Sequence, residues 1–345
     1  MKIVIANDNE FAHYYERMSW CKALKFAQYD VFLWNMKNKS IFDVFDEIKP
    51  DLIFLQGYNL TSGIISLLQE YPTTKLVIRV SDWSEWNNKL NREKYPVLKA
   101  GEEEIKLLTE IQKLNNPLLL HTHHHSDWLK QTHGFWIENG FDVSSIMNCA
   151  DVFSYCNGKY QENLDTDIVF IGGYWPYKAQ KLDKWILPLT QTHKMRIFGN
   201  QPWPTSKYCG FIPEEETRHI LKSAKVCPSI HEPHSTEFGY DIVTRPFNLL
   251  ANKCLCVSDY VEGLYKLFPR EISYARRPDE FKEKIDFYVK NPSAKQEDIE
   301  RGFQKVIQQH TAFDRMLQIL NFFQLDTQQL TDAKNTFAQY LGINL

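Results

Sequence analysis

Short runs of consecutive apolar residues recur along the whole chain, each followed by a polar loop and a stretch with helical spacing. Residues 2–6 (KIVIA), 51–56 (DLIFLQ), 75–80 (KLVIRV), 117–120 (PLLL), 167–171 (DIVFI), 194–198 (KMRIF), 226–230 (VCPSI) and 254–258 (CLCVS) are all of this kind. A strand that is apolar throughout is buried on both faces, and a parallel sheet with helices on either side provides that burial. The pattern therefore predicts an α/β chain of doubly wound parallel sheets. A chain of 345 residues exceeds one ordinary core, so two such domains are expected. The first spans 1–150 and the second 151–311, with the boundary in the aperiodic segment 148–164. Residues 312–345 read as carboxy-terminal helices that cross back onto the first domain.

Composition narrows the class. Hydrophobic residues make up 43% and aromatic residues 14%, which is a globular balance. The longest apolar runs are five or six residues, far below the roughly 20 that a membrane helix needs. A first strand at Lys2 leaves no room for a signal peptide, so a cytoplasmic protein is expected. The 7 cysteines are odd in number and lack framework spacing, and are read as reduced thiols. Cys254 and Cys256 fall on one side of a strand and are read as packing rather than a metal site. A net charge of −3 gives no general attraction to nucleic acid or acidic membranes.

The stretch 226–268 is the most informative. It reads as strand, loop rich in His and acid, helix from Arg245, then a second strand ending in Asp259. In open α/β sheets ligands bind beyond the strand ends. Arg245 stands in the first turn of the helix, where backbone N–H groups and the dipole favour an anion, and its planar charged fork suits a phosphate. Two doubly wound domains facing across a cleft occur in periplasmic-type binding proteins, dinucleotide oxidoreductases and nucleotide-sugar glycosyltransferases. The first are exported, and no export signal is expected here. The second need G-x-G-x-x-G after a strand, which neither Asn7-Asp8-Asn9 nor Gly172-Gly173 supplies.

The carboxy-terminal half resembles the CgeB-like glycosyltransferases, relatives of the group-1 GT-B enzymes. The resemblance is carried in order by MNCADVFSY, DIVFIGGY, MRIFGN, GFIP, SAKVCPSIH, YDIVTRPFNLLANKCLCVSDYVEGLYKLF, DEFKEKIDFYVKNP and QQHTAFDRMLQIL, over residues 146–320. It implies a GT-B fold of two Rossmann-like domains and transfer of a sugar from a nucleoside diphosphate, UDP first among the candidates, to an acceptor hydroxyl without an obligatory metal. Gly172 and Gly173 would let the backbone approach the diphosphate; a tight strand-to-helix turn is the competing reading. Arg245 would hold the diphosphate. Enzymes of this kind commonly carry Glu three positions after that Arg to hold the ribose, and here the residue is Asn248. Phe211 and Ile212 would line the base pocket. Lys178 and Lys181 are secondary phosphate contacts or a solvated helix face. His231, Glu232, His234 and Glu237, with Asp241, face the donor sugar, and Tyr174, Gly199, Tyr240 and Thr244 complete the expected donor site.

The amino-terminal half would bind the acceptor: a glycan, small molecule, protein or modified DNA. Inverting transfer needs a base for the acceptor hydroxyl. Asp82 follows the fourth strand, and KLVIRVSDWSEW resembles the segment of phage DNA β-glucosyltransferases that carries their catalytic Asp, so Asp82 is the expected base and a loop carboxylate the alternative. His123 is the competitor. In the cluster His121, His123, His124 and His125, one or two imidazoles are expected to line the acceptor pocket and the others to be solvated, with no metal bound. Trp83 and Trp86 stack on a sugar or pack. A phage-type DNA glucosyltransferase and a non-catalytic nucleotide-sugar-binding protein remain as alternatives.

Overall fold

The structure is a computed structural model that describes residues 1–7, 12–57, 60–80, 102–343 and 345. The chain forms two compact units, residues 1–147 with 312–345 and residues 148–311. Asp82, Trp83 and Trp86 lie outside the described residues.

The first unit contains β1 (Lys2–Asn7), α1 (Ala12–Phe26), β2 (Asp30–Asn35), α2 (Ile41–Ile48), β3 (Leu52–Gln56), α3 (Gly63–Glu70), β4 (Lys75–Arg79), α4 (Glu102–Gln112), β5 (Leu118–Thr122), α5 (Leu129–Glu138) and β6 (Val143–Ser145). The strands pair in parallel in the order β2-β1-β3-β4-β5-β6. All five residues of β3 are buried, as an apolar strand covered on both faces requires. On one face Val4, Ile53, Leu55, Leu76 and Ile78 form a core with Val44, Phe45, Leu67, Leu68 and Leu108 from the helices. α2 begins where Ser40 and Asp43 satisfy each other's backbone N–H groups in a capping box, and it stops at Lys49, which takes a positive φ before Pro50. Two elements have no counterpart in the apolar pattern. β6 is only three residues at a sheet edge, and α5 carries a non-helical kink at His133 beside Gly134.

The second unit contains α6 (Val152–Tyr155), β7 (Thr166–Ile171), α7 (Pro176–Trp185), β8 (Met195–Phe198), α8 (Glu214–Lys222), β9 (Ala224–Ser229), α9 (Pro233–Phe238), α10 (Arg245–Ala251), β10 (Cys256–Asp259), α11 (Glu262–Leu267), β11 (Ser273–Ala275), α12 (Pro278–Lys290) and α13 (Gln296–Gln309). Its strands are parallel in the order β11-β10-β9-β7-β8. Phe170, Ile168, Val226, Val257 and Ile197 build the core with Leu182, Trp185, Phe281 and Ile285. Cys254 precedes β10 instead of lying in it, and its sulfur, like that of Cys227, meets the carbonyl of Leu221 at 3.6 Å.

α14 (Ala312–Phe322) and α15 (Gln328–Tyr340) pack in the first unit. Phe313 and Phe337 meet Phe26 at ring centroid distances of 6.0 and 5.8 Å, and Arg315 Nε donates to the carbonyl of Met147 at 2.8 Å.

At the carboxyl ends of its central strands the first unit buries polar groups. Gln56, Arg79 and His121 stand opposite one another in register across β3, β4 and β5. Of the histidine run, in which one or two imidazoles are expected in a pocket and the others in solvent, none is fully exposed: His121 and His124 are buried, while His123 and His125 are half-buried. The physical reason is that β5 extends to Thr122, carrying His121 under the Trp20 ring of α1 at 6.0 Å. Burial pushes the His121 pKa down to about 3; Glu16 opposes this and Arg79 adds to it. Unfolding restores the ordinary value near 6.5, so the unfolded chain takes up a proton that the folded protein refuses. Stability is therefore lost as pH falls from about 6.5 toward 3, by at most about 1.4 kcal/mol per pH unit from this group. We expect denaturant titrations of His121→Leu to show a shallower loss of stability between pH 6.5 and 4.5 than the wild type, a difference on the order of 2 kcal/mol over that interval.

Candidate functional site

The residues that carry chemistry in the second unit gather where β7, β9 and β10 end. Thr244 occupies the cap position of α10 without a side-chain cap bond, and Pro246 fixes the first turn. Arg245 is thereby aimed back across the strand ends. Its Nε donates to the carbonyl of Ile171 at 2.8 Å and its Nη1 to that of Ile230 at 3.1 Å. The guanidinium carbon also lies 5.1 Å from the centre of the Phe170 ring. β7 and β9 are neighbours in the sheet, so one side chain closes the ends of two adjacent strands. Burial lowers the Arg245 pKa, opposed by Glu232 and Asp259, and an arginine so placed remains charged at neutral pH.

Glycine is required around this group. A Cβ on Gly172 would lie 2.9 Å from Arg245 Nη2, and one on Gly199 would lie 2.4 Å from the carbonyl oxygen of Gly172. The loops after β7 and β8 thus touch through bare backbone. Trp203 Nε1 donates to the Gly172 carbonyl at 2.9 Å, and the Tyr208 hydroxyl to the Gly199 carbonyl at 2.8 Å. Gly173 faces Asn200 Oδ1 in the same way. Trp203 and Tyr208 were not singled out from the sequence; only their position just after the β8 loop could have drawn notice.

α7 lays two lysines one turn apart over the same strand ends. Neither belongs to a solvated helix face. Lys178 is 4% exposed; its Nζ donates to the Ile230 carbonyl at 2.5 Å and to Glu232 Oε1 at 3.2 Å. Burial lowers its pKa to about 8, with Glu232 opposing and Arg245 assisting that fall. Lys181 Nζ reaches Asp259 Oδ2 at 2.5 Å and also contacts Thr236. Asp259 is fully buried at the end of β10. Burial alone would raise its pKa, but Lys181 and His231 together hold it well below the usual carboxylate range. His231 Nδ1 lies 2.8 Å from Asp259 Oδ1.

The other expected donor-site residues divide. Phe211 exposes 64% of its surface, whereas Ile212 is buried, so Ile212 has only main-chain groups to offer a ligand. Tyr174 is half-buried and donates its hydroxyl to Asp183 at 2.6 Å. Tyr240 is 1% exposed and its ring stacks on Phe238. Asn248 Oδ1 accepts the backbone N–H of Asp151 at 2.9 Å. One lone pair of that oxygen is committed to holding the start of α6, which leaves its second lone pair and the amide N–H groups for a ribose. Asp241 accepts from Ser235 Oγ and His234 Nε2, each at 3.0 Å, and His234 Nδ1 meets the Tyr177 hydroxyl at 2.8 Å. His123 belongs to the first unit, where its Nε2 lies 3.4 Å from Arg79 Nη2.

Two parallel-sheet Rossmann-like units of this order make a GT-B fold. A family model described as glycosyl transferase-like matches residues 180–321, so the second unit is glycosyltransferase-like in sequence as well. Among solved structures the chain is similar to T4 phage BGT in complex with UDP and Mn2+, with 15% identity and a TM-score of 0.57 over 94% of this chain and 100% of that one. Sucrose-phosphate synthase from Thermosynechococcus elongatus shows 11% identity and a TM-score of 0.63, covering 94% and 98%. Anabaena Alr3699/HepE in complex with UDP shows 11% identity and 0.57, covering 94% and 100%. No curated protein matches the chain by sequence.

The contacts give two expectations for stability. Arg245→Lys keeps a charge but loses the planar fork that spans the two strand ends, and is expected to lose about 2 kcal/mol in denaturant unfolding. Gly199→Ala has no room to relax, because the obstructing atom is backbone, and is expected to cost at least about 2 kcal/mol; an unchanged midpoint would show that the two loops are not in contact.

Proposed function

We propose that the protein is a CgeB-like glycosyltransferase that moves a sugar from a UDP-sugar to an acceptor hydroxyl. The observation that carries this reading is Arg245, fixed by two strand-end carbonyls and faced by the Gly172-Gly173 loop at the end of β7. A guanidinium so held needs no reorganisation to meet a diphosphate, and the N-terminus of α7 and Lys178 add favourable charge. The glycosyl transferase-like match and the UDP held by two structural relatives support the choice of donor.

The charge inventory bears on metal dependence. The carboxylates beside Arg245 are Glu232 and Asp259, and both are already paired with lysines. Such a donor set suits an anion rather than a divalent cation, and supports leaving-group stabilisation by side chains and backbone. On this reading the second unit binds the donor, the first binds the acceptor, and Asp82 removes the acceptor proton during attack on C1 with inversion. A second reading, with modified DNA as acceptor, draws on the segment KLVIRVSDWSEW; it predicts duplex binding that weakens steeply with salt.

Thermal unfolding tests the donor. UDP at about 100 times its dissociation constant should stabilise the protein by roughly 2.7 kcal/mol. The effect should vanish in Arg245→Ala and persist in EDTA, and a chain whose melting no nucleoside diphosphate shifts would refute the reading. Asp82→Asn should abolish transfer while leaving UDP binding intact. The pH dependence has a definite sign. Lys178 is charged below about pH 8 and neutral above it, so UDP affinity should be flat below that value and fall as pH rises through it, by at most ~tenfold per pH unit. Lys178→Met should flatten the profile.

A further inference from the structure

Two glycine carbonyls at the strand ends are held in the same way. The carbonyl of Gly172, after β7, accepts from Trp203 Nε1 at 2.9 Å, and that of Gly199, after β8, from the Tyr208 hydroxyl at 2.8 Å. Both donors come from the loop after β8, where Pro202 and Pro204 restrict the backbone on either side of Trp203. The indole is 5% exposed and packs against the rings of Phe170 and Tyr174, with centroids at 5.3 and 5.1 Å. The N–H groups of the same two glycines are fixed as well: that of Gly172 donates to Phe198 at 2.8 Å and that of Gly199 to Gly210 at 3.0 Å.

These contacts decide where the next N–H of each loop points. In a trans peptide the N–H is directed away from the C=O, so holding the Gly172 carbonyl aims the N–H of Gly173, and holding the Gly199 carbonyl aims that of Asn200. Among the described residues neither N–H has an acceptor. Gly173 is half-buried and Asn200 exposed, so a ligand can reach both residues. They are neighbours across touching loops: a Cβ on Gly199 would stand 3.3 Å from the nitrogen of Gly173, and one on Gly173 would stand 2.9 Å from Asn200 Oδ1. Arg245 Nη2 faces the same turn, 2.9 Å from the place of a Cβ on Gly172. Two backbone donors and a guanidinium around one bare loop suit the oxygens of an anion. The amide side chains of Asn200 and Gln201, which also lie against Gly173, are neutral and add no counter-charge.

We infer that Trp203 and Tyr208 are positioning residues for the donor diphosphate: they set the Gly172-Gly173 and Gly199-Asn200 peptides so that two N–H groups meet its oxygens. The inference rests on the nucleotide-sugar reading of this site and adds to it the side chains that orient the loops. Glycine populates positive and negative φ with similar ease, so a glycine loop by itself leaves its peptide planes free to turn. A held carbonyl removes that freedom before the ligand arrives, and donors arranged in advance need no reorganisation on binding.

The test removes single hydrogen-bond donors. Trp203→Phe deletes the indole N–H and keeps a ring in place, and Tyr208→Phe deletes only the hydroxyl. In calorimetric titrations of the full chain, each should weaken UDP and inorganic pyrophosphate alike by ~5-fold, the loss expected when one donor to a charged group is misaimed. Hydrogen exchange of the Gly173 amide, followed in protein labelled with 15N-glycine, supplies a readout that general loosening does not reproduce. UDP at saturation should slow that exchange in the wild type and in Tyr208→Phe, and fail to do so in Trp203→Phe. Unchanged UDP affinity in either variant would overturn the inference. So would a Gly173 amide that UDP leaves unprotected in the wild type, or one that both variants expose equally, which would reduce the two aromatic residues to packing. If the wild type binds no UDP, the donor reading fails and pyrophosphate decides the inference by itself. Weaker pyrophosphate binding in both variants then keeps it; no binding, or binding that either variant leaves unchanged, removes it.

Discussion

The guanidinium of Arg245 is the point on which the second unit turns. A parallel sheet ends in a row of carbonyls that no further strand can satisfy, and that row is where α/β folds present their ligands. Here two of those carbonyls, Ile171 and Ile230, are closed by one side chain reaching back from the start of α10. The contact joins three elements, and it converts an edge of partial negative charge into one that favours an anion. Gly172 and Gly199 follow from it. A side chain at either position would collide with the guanidinium or with the loop pressed against it.

Around that centre the unit buries more charge than its fold alone would need. Three cations, Arg245, Lys178 and Lys181, face two carboxylates, Glu232 and Asp259. Ion pairs with both partners desolvated are weak sources of stability, since desolvation offsets most of the attraction. The pKa of Lys178 and that of Asp259 both fall, the first because burial disfavours its charge and the second because neighbouring cations outweigh burial. On the proposed reading, a cluster of perturbed groups at strand ends with more cations than anions is a site prepared for an anionic ligand.

Much of the fold could be read from the chain. α2 (Ile41–Ile48) and the start of α10 at Arg245 fall where sequence spacing, the stop at Pro50 and the anion-favouring first turn put them. The strands do so within a residue or two, because an apolar run flanked by polar loops has few other ways to be buried. Short elements escaped. The three residues of β6 and the six of α9 carry too little periodicity to stand out, and they exist because longer neighbours hold them. The histidine run was read as partly solvated, one or two of its imidazoles lining a pocket; His121 is buried because β5 continues through it to Thr122, and His124, just beyond the strand, is buried as well.

The sequence by itself determined the class of fold, the number of sheets and the position of Arg245 at a helix start. Each depends on local pattern, and local pattern is what a linear chain displays. It could not show that Arg245 folds back onto strand ends 74 and 15 residues away, that Lys178 and Lys181 face inward, or that Asn248 spends its carbonyl oxygen on Asp151. Nor could it show that Nδ1 of His231 meets Asp259 while its Nε2 is buried without a hydrogen-bond partner. Those facts belong to the tertiary structure, because they are set by which strand ends become neighbours in the sheet, and that adjacency is decided only when the helices pack and the order β11-β10-β9-β7-β8 is fixed.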